Sequence, residues 1–298
     1  MTILLPRVPQ YERWCLASQQ QERTKTRMSI WRLLLDGAHD GPWNMAVDEL
    51  LLELAAERLP GALRLYKWRQ PTLSLGYFQC YKDRWQHPAS AQCPVVRRLS
   101  GGGAIVHDHE LTYSLAIAEN HPLSADRDGL YRLVHRSLIA ALRRFGVDAT
   151  FCDLAQPSGS ASLRQSVPQC SCAQQHGDKE PFLCFARRAP MDVVCAGHKI
   201  AGSAQRRRRG AVMQHGSVIL RRSAAAPEIA GISDLTGTAV EADALAEQWA
   251  GELVSALGVS WEHSALSAPE AARAAELAQC RYGAAEWTES RQALAQPR

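Results

Sequence analysis

Apolar and polar positions change period several times along the chain, and each change predicts an element. Ile30 to Leu35 is an apolar run of strand length, after which Val47, Leu50, Leu51, Leu54 and Ala55 recur at the i, i+3, i+4, i+7, i+8 spacing of an amphipathic helix. Asp48 and Glu49, near the start of that pattern, are expected to complement the helix dipole. Short strand-like runs follow at Ala62 to Trp68, Leu73 to Leu75, Val95-Val96 and Ala104 to His107. Leu111, Tyr113, Leu115 and Ile117 alternate with a period of two, as a strand does. Leu130, Val134, Leu138 and Leu142 mark a second helix, closed by Gly146. Met191 to Cys195, His198 to Ala201 and Ala211 to Leu220 resume strand character, and helices are expected at Leu245 to Leu257 and Ala271 to Arg281. The result is a strand-rich α+β chain without internal repeats.

Two stretches carry no such pattern. Residues 1–27 read as a disordered extension, with Met28 a candidate start, and residues 153–180, rich in Ser, Gln, Pro and Gly, read as a long surface loop with nothing catalytic in it. The expectation is one catalytic domain over 28–298, with a core at about 58–245, the insert at 153–180 and C-terminal helices within 241–288.

Composition narrows the class. With 46% hydrophobic and 21% charged residues the chain has material for a core, and no window approaches the ~20 apolar residues of a membrane span. A cytoplasmic protein that binds no membrane is expected. The nine cysteines are scattered and odd in number, which argues against a secreted disulfide framework. Net charge is only +4, and just five of the 34 basic side chains are lysines, so a lysine in an apolar stretch is informative.

The first segment with chemistry in it is Arg97-Arg98-Leu99-Ser100-Gly101-Gly102-Gly103-Ala104-Ile105-Val106-His107-Asp108. Three glycines between two strands serve either a sharp turn or a close approach to a ligand; neither nucleotide-binding glycine motif fits. The second is Cys195-Ala196-Gly197-His198-Lys199-Ile200-Ala201-Gly202-Ser203. Lys199 either reaches solvent from a strand edge or stands as a fixed cation for an acyl oxygen or a thiolate.

Taken together, these motifs, with Leu111-Thr112-Tyr113-Ser114, Gln214-His215-Gly216-Ser217, Asn44 to Glu49, Arg281-Tyr282-Gly283 and Glu286-Trp287, resemble the biotin/lipoate protein ligase and octanoyltransferase superfamily. The resemblance runs from about Ile30 to Thr288. It implies a biotin/lipoate ligase-like fold of mixed sheets flanked by helices, with an acyl tunnel between the glycine loop and the lysine strand. Cys184, 15 residues before Lys199, resembles the nucleophile of cysteine-dependent octanoyltransferases. Cys184 and Lys199 are then the implied catalytic pair, and Arg98, Ser100, Gly101, Gly102, Gly103, His107, Gly202 and Ser203 the implied substrate-binding set, with no metal and no cofactor.

An ordinary thiol, with a pKa near ~8.5, is only a few per cent thiolate at neutral pH, so an ammonium nearby raises the supply of nucleophile several-fold. The implied reaction moves octanoyl from acyl carrier protein, through a Cys184 thioester, to a lysine of glycine-cleavage H protein or an E2 lipoyl domain. Three alternatives stand beside it. An ATP- and Mg-dependent lipoate or octanoate ligase would leave Cys184 incidental. An amidotransferase between lipoyl-domain proteins would use the same cysteine. A non-catalytic nucleic-acid binder would use the run Arg206 to Arg209, which otherwise reads as a solvated hairpin tip or as a basic rim that docks acidic carrier and acceptor proteins.

Overall fold

A computed structural model describes residues 30–152 and 181–292. The N-terminal extension and the insert, with Cys170, Cys172 and His176, lie outside the described residues. In chain order, strand β1 (Ile30–His39) and helix α1 (Gly41–Glu57) precede strands β2 (Gly61–Trp68), β3 (Thr72–Leu75), β4 (Val95–Arg97), β5 (Ile105–His107) and β6 (Glu110–Ile117). Helices α2 (Pro122–Ala125) and α3 (Arg127–Arg144) then lead to β7 (Ala149–Phe151), β8 (Val193–Cys195), β9 (His198–Arg208) and β10 (Ala211–Ile219). The chain finishes with helices α4 (Ile232–Thr236) and α5 (Ala242–Leu257), strand β11 (Ser260–His263), and helices α6 (Ala268–Leu277) and α7 (Ala285–Ser290).

Eight strands form one sheet in the order β11-β1-β2-β6-β10-β9-β8-β7, and β4-β3-β5 form a second. Pairing is parallel at β1–β11, β1–β2 and β3–β4 and antiparallel elsewhere, so both sheets are mixed. One face of the large sheet packs on α3 and α5 through Leu138, Leu142, Trp249 and Leu253. The other packs on α1, with Tyr282 and Trp287 closing the far side. The small sheet has its own core around Leu73, Leu75, Ala104 and Leu183. Among the described residues no helix is long and apolar enough to cross a membrane.

Three expectations change. Asp40 caps α1, accepting from the Trp43 N–H at 3.1 Å, so the helix starts well before Asp48 and Glu49. Both lie mid-helix and buried, where they answer cations instead of the dipole. Asp48 meets Arg64 at 3.1 Å, and Glu49 meets Arg281, Arg208 and the Tyr282 hydroxyl. The helix is covered on both sides, which is why its sequence looks only weakly one-faced. Strand β6 is likewise buried on both faces: its polar positions Glu110, Thr112 and Ser114 turn toward the interior rather than to water. Strand character begins at Val193, not at Met191, which sits in a turn at φ 71°.

Candidate active site

The glycine loop is built around Arg98. Its guanidinium donates from Nη1 to the Ser74 carbonyl and hydroxyl, both at 3.1 Å, and from Nη2 to the carbonyls of Gly101 (2.9 Å) and Gly103 (2.6 Å). Burial pushes it down to about 10, while Cys184 acts in the opposite direction. Arg98 therefore shapes the loop, and it also stands in the wall of the cavity beside Cys184.

The cysteine segment is attached to this loop by backbone. Ala104 N–H donates to the Phe182 carbonyl at 3.0 Å and Cys184 N–H to the Ala104 carbonyl at 2.7 Å, a parallel bridge between Ala104 and Leu183. Gly103 must lack a side chain here. A Cβ on it would lie 3.1 Å from both Cys184 N and the Phe182 oxygen and 2.2 Å from Arg187. A 3₁₀ turn, Cys184–Ala186, follows.

From the other side comes β9. Its hairpin with β8 turns at Ala196-Gly197, both with positive φ, and carries Lys199 inward with a side chain only 5% exposed. Lys199 Nζ lies 3.7 Å from Cys184 Sγ, 3.5 Å from the Cys184 carbonyl and 2.9 Å from Asp192. Burial, the largest influence, pulls the ammonium down, yet Cys184 and Asp192 hold it above its ordinary value. Gly202 makes room for this fold-back, since a Cβ there would meet Lys199 Cε at 2.5 Å. The partner, Asp192, was missed in the sequence; its only signal was an acidic residue seven positions before the lysine in an otherwise apolar segment.

Between loop and strand lies a cavity of about 490 Å³, part of it open to solvent, within the range of small-molecule sites. Cys184, Arg98, Gly101, Gly102, His107, Gly202 and Ser203 line it. Three expected residues do not. Lys199 stands behind Cys184 and Gly202, Gly103 faces Arg187, and Ser100 is buried against His215, whose other ring nitrogen meets Asp48 at 3.2 Å. His107 is fixed by Glu110 and Ser74, each at 2.7 Å, and stacks on Trp68.

Ser203 is similarly committed. Burial pushes His135 down, so its ring is neutral near pH 7. Its Nδ1–H must donate to the Met191 carbonyl, which only accepts; Nε2 therefore accepts from the Ser203 hydroxyl at 2.6 Å, and Tyr113 donates to Ser203 at 2.6 Å. This chain ends at Met191, next to Asp192, and so supports the turn that holds Lys199. Tyr113 stands in the Leu111-Thr112-Tyr113-Ser114 motif, but His135 was not singled out in the sequence, hidden on the buried face of an ordinary-looking helix.

Cys195, the other thiol near Lys199 in sequence, is buried in the α3-side core and its thiol is pushed up by burial. Among the described residues no group of three or more His, Cys, Asp or Glu side chains is arranged to hold a metal ion. The arginine run does form a hairpin tip, with Arg209 at φ 45°, but Arg207 donates to the Ser124 carbonyl and Arg208 pairs with Glu49 and Glu53. Arg206 also lies over the Tyr77 ring, so three of the four arginines are engaged within the molecule.

The chain is 33% identical to octanoyltransferase LipM of Kyrpidia tusciae over 87% of its own length and 98% of that protein's. It is 36% identical to octanoyltransferase LipM of Halalkalibacterium halodurans over 65% of its length and 67% of that protein's. Among solved structures, a bipartite lipoate protein ligase from Thermoplasma acidophilum superposes with a TM-score of 0.65 at 18% identity, covering 90% of this chain and all of that one, a likeness of fold. The lipoyl protein ligase A/B catalytic domain matches residues 40–228, and with more than half the chain inside that match the protein belongs to this family.

Proposed function

We propose that the protein is an acyltransferase that takes octanoyl from acyl carrier protein onto Cys184 as a thioester and passes it to a lysine of a lipoyl-accepting protein, such as glycine-cleavage H protein or an E2 lipoyl domain. Octanoyl transfer in lipoyl biosynthesis is supported by the octanoyltransferase relatives at 33% and 36% identity. The observation that carries the mechanism is the thiol of Cys184 at the cavity wall, 3.7 Å from the Lys199 ammonium.

In the first step the Cys184 thiolate attacks the donor's acyl carbon. The new C–S bond forms, the donor C–S bond breaks, and the carrier thiolate leaves with its electron pair. In the second step the acceptor's neutral amine attacks the Cys184 thioester, the amide bond forms, the amine's surplus proton passes to solvent, and the Cys184 thiolate is regenerated. Lys199 and Arg98 offset the sulfur's negative charge at both ends of the cycle, and backbone N–H groups around the glycine loop or on the Lys199 strand would steady the transient oxyanion. Neither step consumes a nucleotide, so no cofactor is part of this proposal. Residence in the reducing cytoplasm would keep the nucleophile a free thiol.

Intact mass after incubation with octanoyl carrier protein, without ATP, tests this. An octanoyl adduct removed by hydroxylamine and absent from Cys184→Ala is expected. Octanoylation of an acceptor only from free acid plus ATP, surviving Cys184→Ala, would place the protein with the ligases instead.

A further inference from the structure

Two cavities lie back to back beside the Cys184 turn. The one that reaches Cys184 is the larger, and the second encloses about 360 Å³. Ile105 and Phe185 stand in the walls of both. Glu110 stands in the wall of the second, while His107 and Ser217, which bond its carboxylate, stand in the wall of the first. The partition is therefore about one side chain thick. Behind it the second cavity has apolar walls at Val106, Leu183, Ala226 and Ile229, with Asp108, His109, Glu110, Arg221 and Ser223 also in its lining.

An aliphatic chain on Cys184 would have the first cavity to enter, with Ile105 and Phe185 in its wall. Apolar burial by itself favours longer chains, by roughly fourfold per methylene, so selection for a short one needs a steric stop. We infer that Ile105, together with Phe185, is the stop that sets acyl length, and that the second cavity is a latent site for the aliphatic carbons beyond it. This rests on the octanoyl-thioester reading above. Ile105 is half-buried on a three-residue strand, so truncating it opens the partition at little cost to the small sheet's core, to which Leu73, Leu75 and Val106 belong.

The test loads the full chain with acyl carrier protein thioesters of C6, C8, C10 and C12 and reads the adduct on Cys184 by mass. Wild type is expected to fall off beyond C8, and Ile105→Ala to raise the C12-to-C8 loading ratio at least tenfold, with Ile105→Val moving it the same way by less. Ala226→Leu, which fills the second cavity alone, is expected to leave wild-type C8 loading unchanged and, combined with Ile105→Ala, to return the ratio toward wild type. An unchanged length profile in both Ile105 variants would overturn the inference while leaving the thioester reading intact. A loss of C8 loading in Ala226→Leu would also overturn it, by placing the chain in the second cavity. Absence of any C8 adduct in wild type would sink both readings at once.

Discussion

Replacing Asp192 by Asn removes the carboxylate that faces Lys199 at 2.9 Å while keeping its shape. Both side chains are nearly buried, at 5% and 8% exposure, so little solvent screening is available. With an effective dielectric constant of ~20 the pair's gross attraction is about 6 kcal/mol, and removing one member of a buried pair costs about 3–5 kcal/mol because the other charge is stranded. Two outlets exist. The protein loses stability, roughly 5 °C in Tm for ~3 kcal/mol in a chain of this size, or Lys199 gives up its proton. Burial, already the largest influence on the ammonium, would then be opposed by Cys184 without Asp192.

The pH dependence follows from that shift. In the wild type the folded-state pKa of Lys199 lies above the ordinary 10.5, so its contribution to stability is complete below that value and lost only as pH rises through the folded-state pKa. In Asp192→Asn the alkaline limb of Cys184 loading should move to lower pH, because burial then outweighs what remains of the attraction that raises the ammonium. Rapid-quench mass spectrometry of the loading step across pH, with calorimetric Tm on the same samples, reads both effects. The double variant Asp192→Asn/Lys199→Met, which strands no charge, should be more stable than either single one. A single variant with wild-type Tm and an unmoved alkaline limb would refute the coupling of this pair to the thiol.

Two further outcomes follow from geometry. Gly103→Ala puts a Cβ 3.1 Å from Cys184 N and the Phe182 oxygen, so the cysteine segment must shift; kcat/KM should fall about tenfold or more, an effect of ~1.4 kcal/mol, with Tm changed far less in proportion. Arg208→Ala should lower stability by ~1 kcal/mol or less and leave the salt dependence of KM for the carrier protein unaltered, because Arg208 is engaged with Glu49 and Glu53; a flatter salt dependence would return it to the docking rim.

Periodicity located the regular elements that bury one face, such as α3 and α5, since a one-sided apolar stripe is what periodicity measures. It located α1 and β6 too but misjudged the exposure of their polar positions, and it missed elements that are short or little buried. Strand β11, Ser-Trp-Glu-His at the sheet edge, has no apolar alternation because an edge strand needs little, and β7 is only three residues long. Asp48 and Glu49 looked like surface dipole charges because their partners Arg64, Arg281 and Tyr282 are remote in sequence and nothing local announces the pairing. The glycines were expected at a turn or a close approach to a ligand; at Gly103 and Gly202 the close approach is to the protein's own Cys184 backbone and Lys199 side chain.

A fold shared with a lipoate protein ligase at 18% identity cannot by itself say whether the acyl group is activated by a nucleotide or by a thiol. The difference has to lie in what surrounds the lysine. Here three separate segments converge on it: the glycine loop, which carries Cys184 on two backbone hydrogen bonds; the turn at Met191-Asp192, held by His135 and Ser203; and β9 itself, thinned at Gly202 to let the side chain fold back. A lysine kept only to snorkel would need none of these, and one kept only to contact a carboxylate would not need a sulfur at 3.7 Å. The convergence favours thiol chemistry because removing any one segment leaves either the cation or the nucleophile without its support.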